Sequence, residues 1–429
     1  MTFSLGVYPG FLEISLILIL AAFAIPISRK ISVVDLPVLI GIGFLVGPVL
    51  GIIGNSFSIG LLSNFQSVGL GLLGITIILY AESHTINFRI INRELVRIAA
   101  LDTIGLIMTA VIAALLFSLL SGAPLVIGFI FGAIIAPTDP ASLIPVFRKV
   151  RVEEEISGIM VGESLFNDPL GILLVSLGVA VIVPGASYVS LFSLVATQVG
   201  TVLAPVFYLI LQLAIPSVTG VAIGFLVIYL NKLFNFDNLL VGFMLGIIIM
   251  EFTLFEAAGI TPFPALIATG AVVGNYSDKG IFWEREASFQ QNLSFLSRAI
   301  IFILLGGVLT LGDMYLYMVP GILLAMAVMF VARPVAVFAS LGLVSKYPSR
   351  YRIDKKIASF MGLVGPRGVV SVVMSLIPYT VGLANNNALL MHWGQMIYVT
   401  VSYVVIFSIV MQTIYAPYLA KKLLPKQEI

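Results

Sequence analysis

Residues 124–147 form one apolar run, and at its centre stands the sequence Ala136-Pro137-Thr138-Asp139-Pro140. Each proline removes a backbone N–H donor and leaves a carbonyl one turn earlier without its helical partner. The residue before each proline is also driven toward extended geometry. Unwound backbone at membrane depth is tolerated only where it is buried in protein or lines a watery cavity. The stretch therefore predicts a helix broken in mid-membrane with the Asp139 carboxylate at the break, as in many transporter cation sites.

The composition places almost the whole chain in a membrane. Of its 429 residues, 60% are hydrophobic and 10% are charged, whereas soluble domains average about 45–50% and about 25%. These values exclude a disordered chain, a nucleic-acid binder and an ordinary soluble enzyme. Cysteine is absent and histidine occurs only twice, which excludes disulfides and thiolate metal sites and argues against a multi-histidine metal site.

Apolar runs bounded by charge, proline or glycine predict an all-α membrane protein with about thirteen spanning helices in a single unit, residues 1–429. The first run lacks a basic flank and a cleavage site, so we expect a retained helix and not a signal peptide. The stretch 184–202 begins with Pro184-Gly185, and we expect a loop or a short interfacial helix there. We place the spans at 10–28, 33–53, 65–83, 96–120, 124–147, 156–183, 203–231, 238–256, 262–277, 296–311, 315–341, 357–380 and 391–418.

Most of the basic residues lie on one side of this arrangement. Nineteen of the 22 lysines and arginines fall on alternate loops, whereas the loops near 54–64, 121–123, 184–202, 257–261, 312–314 and 381–390 contain none. Because lysine and arginine accumulate in cytoplasmic loops, the pattern predicts a multi-pass protein of the cell membrane. Its N-terminus is expected outside and its C-terminus in the cytoplasm.

Charged residues remain inside the predicted spans, and seven of them are candidates for an ion path or for buried pairs. Each costs at least about 2.5–3.5 kcal/mol near a helix centre on insertion scales, and such residues usually pair with one another or line an ion path. We expect the acids to be functional as a group, with some of them in structural salt bridges. The seven are Glu82, Asp139, Glu163, Asp168, Arg298, Arg333 and Arg367.

The sixth span contains Gly162-Glu163-Ser164-Leu165-Phe166-Asn167-Asp168-Pro169. At about 100° per residue, Ser164 and Asp168 share one face, while Glu163 and Asn167 share a neighbouring face. The first face offers hydroxyl and carboxylate oxygens, which suit a small hard cation. The second offers a carboxylate that needs a partner, and the basic candidates at membrane depth are the three arginines.

The twelfth span contains Gly365-Pro366-Arg367-Gly368, which predicts a second break. This span lies seven helices after the fifth and therefore runs in the opposite direction. Two broken, crossing helices of opposite direction indicate an inverted-topology repeat, spans 1–6 and 8–13 joined by span 7. Arg367 is placed to offset the carbonyl ends of the broken half-helices.

These motifs resemble the sodium/proton antiporters, and specifically the prokaryotic NhaP-type, electroneutral branch of the monovalent cation/proton antiporter superfamily. The resemblance covers the whole chain. It implies thirteen helices in a homodimer, with a dimerisation part at about 1–95 and 203–311 and a mobile six-helix bundle at about 96–183 and 315–418. Supporting motifs are Gly47-Pro48-Val49-Leu50-Gly51, Ala332-Arg333-Pro334 and Gly365-Pro366-Arg367-Gly368-Val369-Val370-Ser371.

The same resemblance implies the residues of the ion site. Asp168 matches the carrier of both the cation and the proton. Asp139, Ser164 and the backbone oxygen of Thr138 complete the shell of the sodium ion. Glu82 fits the carboxylate of the third helix, which reaches the ion through water.

Four further residues match supporting positions. Asn167 stands where the electrogenic branch has a second aspartate. Glu163 with Arg333 resembles a structural salt bridge between spans 6 and 11. Arg298 is expected near Glu82 or at the edge of the bundle.

The chemistry predicts exchange by competition at one carboxylate. An ionised carboxylate in a semi-dry site is costly unless a cation neutralises it, so Asp168 carries either a proton or a cation. If only neutralised forms cross, one sodium ion (or lithium ion) exchanges for one proton by alternating access. The expected partners are the cation, the proton, the lipid bilayer and a second copy of the chain; neither an enzymatic activity nor a cofactor is expected, and the implied role is sodium transport and pH homeostasis.

Two alternatives stay open from the residues alone. Potassium replaces sodium if the oxygen count and cavity size favour the larger ion. An intramembrane aspartyl protease would use Asp139 and Asp168, but Leu311-Gly312-Asp313 lacks the first glycine of the GxGD signature that those enzymes carry.

Overall fold

The computed structural model describes residues 9–31, 35–63, 70–183, 189–200, 203–278, 280–345 and 353–424. This part of the chain is almost entirely helical and contains no strand, so the predicted all-α class is confirmed. Several residues of the predicted basic loops, namely Lys279, Lys426 and part of 346–356, lie outside the described residues.

Nine α-helices make up the described first half, in which a π-helical turn, Leu101–Gly105, joins α5 to α6. A second π-helical turn, Leu45–Val49, follows α2. The helices are α1 (Pro9–Ile31), α2 (Asp35–Phe44), α3 (Asn55–Ser63), α4 (Leu70–His84), α5 (Phe88–Ala100), α6 (Leu106–Ser121), α7 (Leu125–Ile135), α8 (Ile144–Val150) and α9 (Glu154–Ile182).

Twelve α-helices make up the described second half, in which a π-helical turn, Val328–Ala332, joins α16 to α17. They are α10 (Val189–Val199), α11 (Ala204–Phe234), α12 (Leu240–Ala257), α13 (Phe263–Tyr276), α14 (Ile281–Val308), α15 (Leu311–Leu316), α16 (Met318–Ala327), α17 (Arg333–Val344), α18 (Lys355–Leu363), α19 (Val369–Ser375), α20 (Ile377–Ala384) and α21 (Ala388–Leu423).

Seven helices of the described chain are long and apolar enough to cross a membrane, and shorter apolar helices accompany them. The protein is therefore a multi-pass membrane protein, while the count of thirteen spans stays a prediction. The seven are Phe88–Ser121, Glu154–Ile182, Ala204–Phe234, Asp237–Ala257, Ile281–Val308, Met318–Val344 and Ala388–Leu423.

Two interrupted segments of the chain meet, and we call the place where they meet the crossing. Helix α7 ends at Ile135, and the chain continues without regular helix to Pro140. The chain is also extended between the end of α18 and the start of α19. The two gaps meet, because the backbone N–H of Asp139 donates to the carbonyl of Pro366 at 2.8 Å. Gly368 permits this approach, since a Cβ atom there would overlap the Asp139 side chain.

Helix bounds differ from the predicted spans where a helix is amphipathic. Helix α14 begins at Ile281, well before the predicted start at 296. The prediction missed its first turns because they carry polar residues such as Glu284 and Gln290. Hydropathy detects only the apolar part of such a helix. Helix α3 lies in a stretch predicted as a loop, and α10 occupies part of 184–202, where a short helix was one of the two expectations.

The packing separates two groups of helices. Helix α14 packs against α2, α3 and α4, and α13 packs against α4 and α11. In the second group α7 packs against α6 and α9, while α21 packs against α16, α19 and α20. The groups meet where α19 contacts α4 and α14 and where α9 contacts α13, and the crossing of the interrupted segments lies beside this boundary.

Candidate ion site

A narrow cavity of about 10 Å³ lies at the crossing, which is room for about one water molecule. Both predicted ion carboxylates line it, Asp139 from the interruption after α7 and Asp168 from α9. Glu82 of α4 and Arg298 of α14 also line it. The structure therefore brings three acids and one arginine together from four segments that are far apart in sequence.

Asp168 is the one of the three acids whose carboxylate has no partner among the described residues. Only 7% of the surface of Asp168 is exposed, and no described residue donates a hydrogen bond to its carboxylate. It faces the cavity together with Asp139, so two carboxylates share one small, poorly hydrated space. A carboxylate in such a place needs a proton or a cation, because its ionised form has lost most of its water.

Arg298 pairs with both of the other acids. Its guanidinium contacts Glu82 Oε1 and lies 3.3 Å from Asp139 Oδ2. The expected proximity of Arg298 to Glu82 is thus seen, whereas its contact with Asp139 was not foreseen. One arginine charge is shared by two carboxylates, which leaves the negative charge of the cavity only partly compensated.

Polar groups on α9 bind the unwound backbone of the first break. Ser164 Oγ donates to the Thr138 carbonyl at 2.7 Å, and Asn167 Nδ2 donates to Thr138 Oγ1 at 3.0 Å. The Thr138 N–H in turn points at Asn167 Oδ1, at 3.4 Å. Asn167 therefore lies with Ser164, its neighbour three residues earlier, and not with Glu163. Each oxygen in this set retains a lone pair for a cation.

Glu163 and Arg333 form a closed pair between α9 and α17. The arginine donates two parallel hydrogen bonds, at 2.5 and 2.7 Å. Both residues are buried, and neither lines the cavity. The bidentate geometry is the strongest form of such a contact, and it joins the helix of Asp168 to a neighbour without reaching the ion site.

Arg367 occupies the second break and binds the first. Its Nη1 donates to the carbonyls of Ala136 and Pro137 at 2.7 and 2.9 Å. These are carbonyls at the C-terminal end of α7, where a helix carries partial negative charge. The residue is buried, and its side chain links the two interrupted segments.

Sequence reasoning assigned no role to several groups at the crossing. Ser371 Oγ donates to the Ile134 carbonyl at 2.7 Å, Ser408 Oγ accepts from the Arg367 N–H, and Gln412 Oε1 accepts from the Gly365 N–H. The feature of the sequence that could have identified them is that each is a polar residue inside an apolar span. Asp102 does not line the cavity; it lies on the π-helical turn between α5 and α6 and is buried, and neither of its carboxylate oxygens has a hydrogen-bond partner among the described residues.

The chain matches known proteins along almost its full length. A family model described as "Sodium/hydrogen exchanger, transmembrane" matches residues 16–422. A protein named Na(+)/H(+) antiporter 1 from Methanocaldococcus jannaschii is 30% identical over 385 residues, which cover 86% of this chain and 82% of the relative. A K(+)/H(+) antiporter NhaP from Alkalimonas amylolytica is 26% identical, over 88% of this chain and 61% of that one.

The fold is also similar to a solved transporter structure. The sodium proton antiporter MjNhaP1 from Methanocaldococcus jannaschii at pH 8 superposes with a TM-score of 0.81 at 27% identity, covering 96% of this chain and 98% of that one. These relatives are transporters by name. The extent of the family match and the shared fold together establish that the chain belongs to the sodium/hydrogen exchanger family.

Proposed function

We propose that the protein exchanges sodium ions for protons across the cell membrane, one for one, by alternating access. The observation that carries this proposal is the small cavity at the crossing, lined by Asp139 and by Asp168, whose carboxylate accepts no hydrogen bond from the described residues. The membership of the sodium/hydrogen exchanger family supports the same activity.

The proposed cation site uses oxygens already gathered at the break. Asp168 and Asp139 supply carboxylates, Ser164 supplies a hydroxyl, and Thr138 supplies a backbone carbonyl. Oxygen ligands suit small hard cations, and a cavity the size of one water favours an ion that has shed most of its hydration. Glu82 acts at the rim, where it shares Arg298 with Asp139.

Exchange follows from the cost of an empty, ionised Asp168. A buried carboxylate is stable with a proton or with a cation, and is costly with neither. If the bundle moves only when Asp168 is neutralised, a cation travels one way and a proton returns. Lithium, which is a smaller and harder cation of the same charge, is expected to replace sodium.

The moving part is proposed to be the helix group that contains α6, α7, α9 and α16–α21. Its boundary with α4, α13 and α14 passes beside the cavity, so a relative displacement there would open the site to one side or the other. The second group is proposed to form a homodimer. We propose that the N-terminus lies outside the cell and the C-terminus in the cytoplasm, on the basis of the basic loops.

A transport assay tests the cation. Purified protein is reconstituted into liposomes with an acidic interior and an internal pH dye, and sodium, lithium or potassium is added outside. Sodium and lithium are expected to collapse the pH gradient several-fold faster than potassium. A response to potassium alone would replace the sodium proposal by the potassium alternative, and no response to any of the three would contradict cation/proton exchange.

A further inference from the structure

A second, larger cavity lies behind the helix that carries Asp168. It has a volume of about 320 Å³ and is lined by residues of α9, α11, α13 and the start of α5. Its walls are almost entirely apolar, with Ser217 as an exception. Phe166 and Pro169 of α9 line it, and no residue that lines it also lines the ion cavity. We call it the apolar cavity.

The apolar cavity continues into a groove at the start of α5. Phe88 and Ile91 line both spaces. Beyond them the groove has a mixed lining, with polar groups from Arg89, Asn92 and Tyr276 and an apolar side chain from Leu95, and it has a volume of about 440 Å³. An apolar cavity is thus joined to a mouth that carries polar groups and one cationic side chain.

The positive charge at that mouth, on Arg89, forms no ion pair within the described part of the chain. Helix α5 carries three arginines. Arg93 pairs with Glu94 and Glu155, and Arg97 pairs with the same two carboxylates. Arg89 is exposed, and no carboxylate of the described residues lies within ion-pair distance of it.

We propose that the apolar cavity and its mouth bind one anionic phospholipid of the surrounding membrane, with an acyl chain in the cavity and the phosphate at Arg89. An apolar void of this size does not retain water, and hydrocarbon is the solvent around these helices. A headgroup with negative charge satisfies the unpaired guanidinium, and arginine binds phosphate bidentately. The site requires both features of a phospholipid, the tail and the anion.

The position of the acyl chain next to α9 allows the lipid to affect the exchange rate, an inference that rests on the proposed function. Asn167 and Asp168 lie between Phe166 and Pro169 on α9, so the tail touches the helix that carries the ion. The opposite walls belong to α11 and α13, which are in the other helix group. A tail between the two groups therefore favours the arrangement in which the cavity is open, and the exchange rate depends on its occupancy.

The test is photo-cross-linking of the whole protein in proteoliposomes. The probe is phosphatidylglycerol with a diazirine at the end of one acyl chain, compared with the matching phosphatidylcholine, and labelled peptides are mapped by mass spectrometry. We expect peptides of α9, α11 and α13 that line the cavity to be labelled several-fold more by the phosphatidylglycerol probe. Exchange is measured on the same vesicles.

Two substitutions separate the tail from the headgroup. Ala268→Phe fills the cavity and is expected to remove the cavity label, whereas Ala99→Phe, at an exposed position of α5, is its control. Arg89→Gln is expected to abolish the preference for phosphatidylglycerol while the label itself persists. Lys421→Gln, at an exposed position of α21, controls for the lost charge.

Two results would overturn the proposal. One is cavity labelling that does not respond to Ala268→Phe. Another is rapid reaction of Ser217→Cys, the single thiol of an otherwise cysteine-free chain, with a water-soluble maleimide, which would mean a water-filled cavity. If the labelling is unchanged and Ala268→Phe also loses the dimer, the cavity belongs to the contact with a second copy. Absence of exchange in the unmodified protein would instead count against the proposed function and leave the lipid result standing.

Discussion

Helix α9 carries two buried acids, Glu163 and Asp168, only five positions apart in sequence, and their surroundings differ completely. Glu163 is saturated by a bidentate arginine and lies away from the cavity. Asp168 receives no hydrogen bond from the described residues and faces a space the size of one water. A buried charge that already has its partner stabilises the structure, whereas one whose partner is missing is available to an ion.

The Arg298 cluster lies between these two extremes. It contains one positive charge, the Arg298 guanidinium, which is shared by the carboxylates of Glu82 and Asp139. The buried acids Glu163, then Glu82 and Asp139, and finally Asp168 therefore form a series from fully compensated, through shared, to uncompensated. We expect substitutions along this series to change from an effect on stability to an effect on transport.

The largest effect is expected at Asp168. Asp168→Asn keeps the shape of the side chain and removes both the charge and the titratable proton, so exchange should fall to the level of empty liposomes. Thermal stability should stay within a few degrees of the parent or rise, because an uncompensated buried carboxylate has been removed. Initial rates of sodium-driven proton flux and a melting curve measure both.

A matched change elsewhere controls for the chemistry of that substitution. Asp237→Asn removes an exposed carboxylate at a left-handed residue, where asparagine is well tolerated. It should leave exchange unchanged. Robust sodium/proton exchange by purified Asp168→Asn protein would remove Asp168 from the ion site.

The second effect is expected on stability, at the closed pair. Removing one partner of a buried ion pair leaves an uncompensated charge and costs about 3–5 kcal/mol. Glu163→Ala and Arg333→Ala should therefore each lower the melting temperature far more than Asp168→Asn does. The double substitution should cost less than the two single costs added together, because no charge is then left unpaired. Strict additivity would contradict the direct pairing.

The smallest effect is expected at the shared arginine. Arg298→Gln removes a positive charge that opposes protonation of the nearby carboxylates, so protons should remain bound at higher pH. An opposite charge at this distance shifts such equilibria by about 1–3 pH units, and the alkaline limit of transport should move up by about one unit. A profile of exchange rate against pH measures this, with Arg285→Gln, an exposed arginine of the same helix, as the control. An unchanged alkaline limit would mean that Arg298 does not act on the transported proton.

The sequence predicted the elements of the site better than its connections. Proline and acid together at 136–140 and the charges at 163, 168, 333 and 367 are visible because each is an exception within an apolar span. The contact of Arg298 with Asp139, and that of Asn167 with Thr138, depend on how four segments cross, and helical periodicity describes only one helix at a time. Helix starts such as Ile281 were missed because amphipathic turns outside the apolar core give no hydropathy signal.

The cavities illustrate the same limit. The lining of the apolar cavity consists of ordinary apolar residues such as Leu213 and Ile267, whose sequence pattern is that of any membrane helix. Only their arrangement around a void distinguishes them. A space between elements is a property of packing, and it is visible only once the elements are assembled.

The central claim is that one carboxylate, Asp168, carries either one cation or one proton. Solid-supported membrane recordings of reconstituted protein, at several pH and sodium values, with and without a valinomycin-clamped potential, test it directly. A one-for-one cycle moves no net charge, so the rate should not respond to the potential; a cycle moving one charge would feel about 2.3 kcal/mol per 100 mV. Because protons and sodium compete, the acid limit of activity should move to lower pH when sodium is raised. Sustained charge displacement through the full cycle, or an acid limit indifferent to sodium, would contradict a single shared site at Asp168.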